Sequence, residues 1–463
     1  MGRVSRGVLA LATLASLAML AYAVNRFRSI SEPRALAWYV ATLAATAFCW
    51  WASRQSPARR LAVAVMAVSS VVTLVAVEWS VEWMQRAAFV RTQKRIERLT
   101  GVPFDPRSVP EVVQALWQTD PSAMPSIVPK VMIEYAREDA DTRARFDASM
   151  LPLAGVSRRT TVQLCNEDGR YPIYRSDEHG FMNPAAPWDS LSGGLLLIGD
   201  SFVHGYCVPE DSTFAANLRR RWPVTLNLGQ GGSGPLSELA ILSEYGLPTG
   251  PMAVLWVFFE NDLLDLVHER RHPTLGRYLD PAFSQSLRLR QPEVDAAVEP
   301  WVHRVYGAGL APRLFAEHGI RELVTLSTLR RLVADTRRVP EDPAKQLPLL
   351  REVLAAAQAR VRAQGGSMVF AFLPEWERYY SPDRRPDGES RVEVLTIARS
   401  LGLPVVDLTP AFDAHPARSQ LFGRGDLATG HYSSAGYALV AAAVIRALDS
   451  LAMGPRLDAA RGR

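Results

Sequence analysis

The sequence predicts an α/β fold, a three-layer sandwich with a doubly wound parallel sheet between helices, preceded by an N-terminal bundle of three transmembrane helices. Two observations carry this. Residues 1–85 hold three uncharged apolar stretches in succession, and residues 191–450 alternate short continuous apolar runs with helical patterns. A continuous apolar run of strand length reads as a strand buried on both faces, and strand–helix–strand alternation makes such strands parallel neighbours.

The three stretches are VLALATLASLAMLAYAV from Val8, ALAWYVATLAATAFCWW from Ala35 and LAVAVMAVSSVVTLVAV from Leu61. Each approaches spanning length once its flanks are counted, so residues 1–85 read as a membrane anchor. The first also reads as a signal peptide, because Arg3 and Arg6 precede it and Ala21-Tyr22-Ala23 resembles a cleavage site. With the N-terminus inside, both readings put everything after residue 85 outside. The basic residues oppose this: Arg3, Arg6, Arg54, Arg59 and Arg60 would lie inside against eight outside, from Arg26 to Arg98. The cysteines favour it. Cys49 lies in the second stretch, while Cys165 and Cys207 flank the first core strand. Two cysteines beside one candidate site suggest a disulfide and an oxidising compartment; two unpaired small hydrophobes are the other reading. The expectation is a bacterial inner-membrane protein with an extracytoplasmic main domain.

Residues 86–190, rich in proline and charge, form a lead-in region whose closing segment YRSDEHGFMNP sets Asp177, His179 and Asn183 at a turn. Such residues cap turns, and Asp177 is also a candidate substrate contact. The first core strand ends in Gly-Asp-Ser within LLLIGDSFVHG, residues 195–205. A strand turning into a helix there brings Ser201 to the carboxyl edge of the sheet, where such folds bind ligands. Ser201 is a candidate nucleophile; with Asp200 it also reads as a helix cap. VTLNLGQGGSG, residues 224–234, is a second strand opening into a glycine turn, and AVLWVFFEND, residues 253–262, a third ending in Asn261 and Asp262. A helical insertion at 267–345, with HERRH and Trp301, is expected to cap the catalytic edge. Then come a helix around PLLREVLAAAQARVRAQ, the strand SMVFAFLPE, a helix around VEVLTIARSLG and the strand LPVVDL. In GHYSSAGYALV, His431 stands just before Ser433 and Ser434, which read as caps of the final helix. Residues 451–463 read as a disordered tail.

In order and spacing these segments resemble the SGNH hydrolase superfamily, the GDSL-type lipases and esterases, over about residues 190–450, with a lead-in like that of membrane-anchored bacterial members. The resemblance implies a flavodoxin-like sheet, Ser201 as nucleophile, His431 as base, and an oxyanion hole from Ser201, Gly232 and Asn261. The residue types suit that chemistry. A serine hydroxyl needs a neighbouring base, and a tetrahedral intermediate needs preorganised donors worth ~3 kcal/mol each. One departure stands out: the aspartate that many members carry two or three residues before the histidine is replaced by Ala428 and Thr429. Asp426 is the first candidate for the third triad member, Asp407 a second, and a Ser–His dyad the third possibility.

A rival reading uses Gly229, Gly231 and Gly234 as G-x-G-x-x-G with Glu260 as a ribose-binding acid. It fails on order, because the fingerprint belongs on the first strand of its domain. The net charge of +5 comes almost wholly from arginine, with lysine only at 94, 130 and 345, and no basic stripe interleaved with aromatics supports nucleic-acid binding. No metal-ligand spacing is present, and no cofactor is expected. The leading reading is a membrane-anchored serine esterase acting on O-acyl groups of an envelope glycan or lipid-linked substrate, with Trp376, Tyr379 and Tyr380 facing it. The alternatives are an O-acetyltransferase served by a membrane acyl-donor partner, and a non-catalytic glycan-binding or assembly protein.

Overall fold

The computed structural model describes residues 2–26, 33–138, 146, 150–184, 188, 194–250, 253–307, 342–380, 388–423 and 430–451. Of the tail expected at 451–463, all but Leu451 lies outside them. The chain divides into two compact units, one built on residues 1–88 and the other on residues 89–313 and 340–463.

In the first unit, α1 (Gly2–Arg26) packs on α2 (Pro33–Ser53), and α3 begins at Pro57 and runs to Thr100. Of the three expected transmembrane helices, one among the described residues is long and apolar enough to cross a membrane: Pro57–Val81 of α3, with mean hydropathy 2.2. Val65, Met66, Val71 and Val72 on it are exposed, as suits a lipid-facing surface. The first stretch lies in α1, a helix of 25 residues, of which Val4–Ala18 is an apolar run among the described residues. The second stretch lies in α2, which is uncharged from Ala35 to Ser53.

The second unit contains two sheets. The small one is β1 (Met124–Pro125), β2 (Thr160–Val162) and β3 (Ile173–Arg175), with β1 parallel and β3 antiparallel to β2. The lead-in is therefore part of the same compact unit as the main sheet. That sheet has β4 (Leu195–Ile198), β5 (Thr225–Asn227), β6 (Ala253–Phe259), β7 (Ser367–Leu373) and β8 (Val405–Asp407), all parallel in the order β5-β4-β6-β7-β8. Leu195 pairs with both Thr225 and Ala253, so the chain winds away from β4 in both directions. A crevice opens at the carboxyl end of the strand where winding reverses, and Ser201 follows that strand.

Both faces of the sheet are buried, which explains the unbroken apolar runs. On β6, Val254, Trp256 and Phe258 join one core, and Leu255, Val257 and Phe259 the other. The period of two sends alternate side chains to opposite cores, each large side chain contributing ~1.5–3 kcal/mol on burial. Helices Pro235–Ile241, Gln291–Val302, Leu347–Ala363 and Gly388–Ser400 cover the first face; Phe214–Arg219 and Ser434–Ser450 cover the second. The insertion departs from expectation. Tyr278, Val294, Val298 and Trp301 are buried in the same core as Leu196 and Trp256, and no described residue of 267–307 lines the catalytic cleft. Val294, Val298 and Trp301 recur at helical spacing, so this helix presents an apolar stripe to the sheet. The remainder, 308–341, lies outside the described residues.

Candidate active site

β4 ends at Gly199, where a Cβ would lie 2.9 Å from the Val257 carbonyl oxygen, so the turn requires glycine. Asp200 follows, and its Oδ1 accepts the Phe202 N–H at 2.9 Å. Capping of the short helix Ser201–His204 thus falls to Asp200, whose Oδ2 also accepts from the Ser201 hydroxyl at 3.3 Å. Burial pushes the Asp200 carboxyl up to about 6 against the lowering pull of that N–H. Ser201 opens on a cleft of ≈ 290 Å³ lined by Phe202, Phe259, Asn261, Glu375, Trp376 and His431 among others.

His431 reaches the serine from the far end of the chain, its Nε2 2.9 Å from Ser201 Oγ. Its segment is pinned on both sides. Gly423 N–H donates to the His431 carbonyl at 2.9 Å, Ser433 N–H donates to the Leu421 carbonyl at 2.9 Å, and the Ser433 hydroxyl caps the final helix at Gly436 N–H. Phe202 and Tyr206 pack on the imidazole at ring-centroid distances of 5.0 and 5.4 Å.

The acid beside the histidine is Glu167, which the sequence reading did not single out. Glu167 Oε1 lies 3.2 Å from His431 Nδ1, and Oε2 accepts the His431 backbone N–H at 2.7 Å. Two bonds from one carboxylate fix both the ring and the chain that carries it. Asp407 does not reach the site: it pairs with Arg391 and caps Thr409 N–H at 3.0 Å, the work of a strand-end carboxylate. Asp426 lies outside the described residues. Cys165 and Cys207 form a disulfide, and Cys207 Sγ sits 3.2 Å from His431 Nδ1. The only sequence signal for Glu167 was its place two residues after a cysteine already paired in expectation with one near the serine.

The expected oxyanion donors Gly232 and Asn261 follow β5 and β6. Asn261 lines the cleft with Ser201 and His431. Gly232 has φ +67°, and a Cβ there would lie 2.5 Å from Lys130 Cδ. Its turn is held against the serine turn by Gln230 N–H donating to the Gly199 carbonyl at 3.1 Å. Gly229 and Gly231 serve that close packing: a Cβ on Gly229 would overlap the His204 backbone nitrogen, and one on Gly231 the Tyr206 ring. Glu260 is paired with Arg378. The residues of the dinucleotide fingerprint are thus occupied in other ways.

Trp376 lines the cleft and is 7% exposed. Tyr379 stacks on Phe412 and lines a separate cavity with Tyr380, Asp413, His415 and Arg418. Asp177 is buried in its turn, accepting from His179 and Phe181 N–H at 2.9 Å, Asn183 Nδ2 at 2.8 Å and Trp188 Nε1 at 2.9 Å. It closes the turn and is not among the residues lining the cleft. Behind the serine lie further buried acids. Burial holds Glu238 and Asp262 well above the usual carboxylate range, and pushes Glu269 up to about 7. His204, also fully enclosed, is held down at about 3 by burial and stays neutral.

No family model and no curated protein matches the chain. Solved structures do. It is similar to a protein described as a lipolytic member of the G-D-S-L family from Desulfitobacterium hafniense, at 14% identity over 55% of this chain and 99% of that one, TM-score 0.32. It is also similar to a lipase/acylhydrolase from Enterococcus faecalis, at 15% over 56% and 96%, TM-score 0.31. A third is a catalytic mutant of an acetylxylan esterase from Geobacillus stearothermophilus, at 15% over 55% and 95%, TM-score 0.31.

Proposed function

We propose that this chain is a serine ester hydrolase of the SGNH type, held at a membrane by α3 and acting on a short O-acyl group of an envelope glycan or lipid-linked substrate. The observation that carries the reading is one line of hydrogen-bond contacts, Ser201 Oγ to His431 Nε2 at 2.9 Å and His431 Nδ1 to Glu167 Oε1 at 3.2 Å.

In this reading Ser201 Oγ attacks the acyl carbonyl as His431 Nε2 takes its proton. Glu167 holds the ring in the tautomer with hydrogen on Nδ1 and stabilises the imidazolium that forms. The negative oxygen is met by the N–H groups of Ser201 and Gly232 and the Asn261 amide. His431 then protonates the leaving alkoxide, the C–O bond breaks, and water activated by the same histidine releases the acid. Phe202, Phe259 and Trp376 form the apolar wall against which a small acyl group fits. The carboxylate at His431 supports a catalytic role over a non-catalytic one. For the membrane, support comes from the exposed apolar surface of Pro57–Val81 and from Trp79 and Trp83 at its end, both exposed, in the manner of an interfacial aromatic belt. The disulfide supports an extracytoplasmic setting.

A fluorophosphonate probe on the detergent-solubilised full chain is expected to label Ser201, and Ser201→Ala to lose both the label and turnover of a small acetyl ester. A folded wild-type protein that neither takes the label nor hydrolyses any ester would refute the reading.

A further inference from the structure

The third triad group reaches the site from outside the main sheet. Glu167 lies on the loop between β2 and β3, which meets the serine side of the site through a small apolar cluster of Leu164, Cys165, Tyr206 and Cys207, two hydrogen bonds and one covalent bond. Gln163 Nε2 donates to the Gly205 carbonyl at 3.1 Å, Gln163 Oε1 accepts the Cys207 N–H at 2.9 Å, and Cys165 is bonded to Cys207. Cys165 stands two residues from Glu167, and Cys207 six residues from Ser201, in the left-handed region at φ 69°. The bond therefore joins the segment carrying the acid directly to the segment carrying the nucleophile. Its Cys207 sulfur touches the same His431 nitrogen that faces Glu167.

We propose that the Cys165–Cys207 disulfide is the positioning element of the triad, so that the esterase works only while this bond is oxidised. The inference rests on the Ser–His–Glu reading above. A small-molecule dithiol supplies two electrons and two protons; the S–S bond breaks, Cys165 and Cys207 become thiols, and the reductant becomes a cyclic disulfide. The loop then keeps the Gln163 contacts and the packing of Leu164 beside Tyr206 and Cys207, but no covalent tie to the serine side. Freed from its partner, the Cys207 thiol competes with Glu167 for Nδ1. Because the acid acts on the transition state and not on substrate binding, the loss falls on kcat and leaves KM alone.

The test uses the full chain in detergent, with a chelator present so that no metal is captured by the freed thiols. Reduction, and separately the double substitution Cys165→Ala with Cys207→Ala, is expected to lower kcat at least ~10-fold with KM within about twofold. The near-UV circular dichroism should be kept, and reoxidation of the wild type should restore the rate. In the Glu167→Gln background, breaking the bond should cost almost nothing further, because the route through Glu167 is already gone. Losses that multiply in that background, or a loss that appears only with collapse of the near-UV signal, assign the bond to general stability and overturn the proposal. Full activity after reduction overturns it too. A wild type that is inert to fluorophosphonate while oxidised refutes the hydrolase reading itself, which separates the two failures.

Discussion

Glu167 differs from the other members of the site in how it arrives. Ser201, Asn261 and His431 each stand at the end or start of a regular element, where the sequence changes abruptly from apolar to polar, and each was legible for that reason. Glu167 sits in an irregular loop more than 250 residues before the histidine it serves, a separation of 264. Nothing local marks it off from its neighbour Asp168, and only tertiary structure brings it home. Glu167→Gln should keep the shape of the site but disfavour the imidazolium, lowering kcat by up to about 10⁴-fold with little change in KM. Asp407→Asn should leave kcat intact and cost at most ~1 kcal/mol in urea unfolding, since it removes a partly exposed partner of Arg391. Near-normal turnover in Asp426→Asn, measured in the same assay, is expected, because the Nδ1 side of His431 is already taken. A collapse of rate there with Glu167→Gln unaffected would reverse the assignment.

Among elements, the glycine turn after β5 and the helices Pro235–Ile241 and Asp262–Glu269 carry the consequences. Gly229→Ala must push this turn off the helix behind Ser201, because the overlapping atom is backbone and cannot rotate away. It is expected to cost about 1–3 kcal/mol, read as a fall in Tm, and to impair turnover by shifting Gly232 with it. The two helices bury Glu238, Asp262 and Glu269, all raised by burial. A raised carboxyl binds its proton more tightly folded than unfolded, so the stability it contributes is complete below the unfolded value and is lost as pH climbs through the folded one. Above about pH 7.5 His204 and His179, held neutral by burial in the fold, are largely neutral in the unfolded chain as well and add little slope. Stability is therefore expected to fall as pH rises beyond that point, and Glu238→Gln to flatten the fall. A Tm that rises over the same range would contradict it. The strands themselves were readable from sequence because burial on both faces erases the polar alternation. The described part of the insertion, 267–307, packs on the sheet through Val294, Val298 and Trp301, and an apolar stripe on a helix shows that it packs without showing against what.

For the whole molecule, the apolar N-terminal composition was legible: three stretches look alike in sequence, all three are helical, and among the described residues one, Pro57–Val81, has both the length and the hydropathy to span. The full chain is expected to stay with the membrane pellet after a carbonate wash, and release into the supernatant would count against anchoring by α3. The placement of the acid also has a bearing on where the protein may be cut. A fragment beginning at residue 191 would keep all five parallel strands, the serine, the glycine turn, the asparagine and the histidine. By its strands and motifs it would look complete. It would lack Glu167 and Cys165, and would leave Cys207 an unmatched thiol beside the imidazole. The limits of the sheet domain are thus not the limits of the Ser201–His431–Glu167 cluster, and dissection, domain grafting or circular permutation of this chain has to carry the region ahead of β4 as cargo.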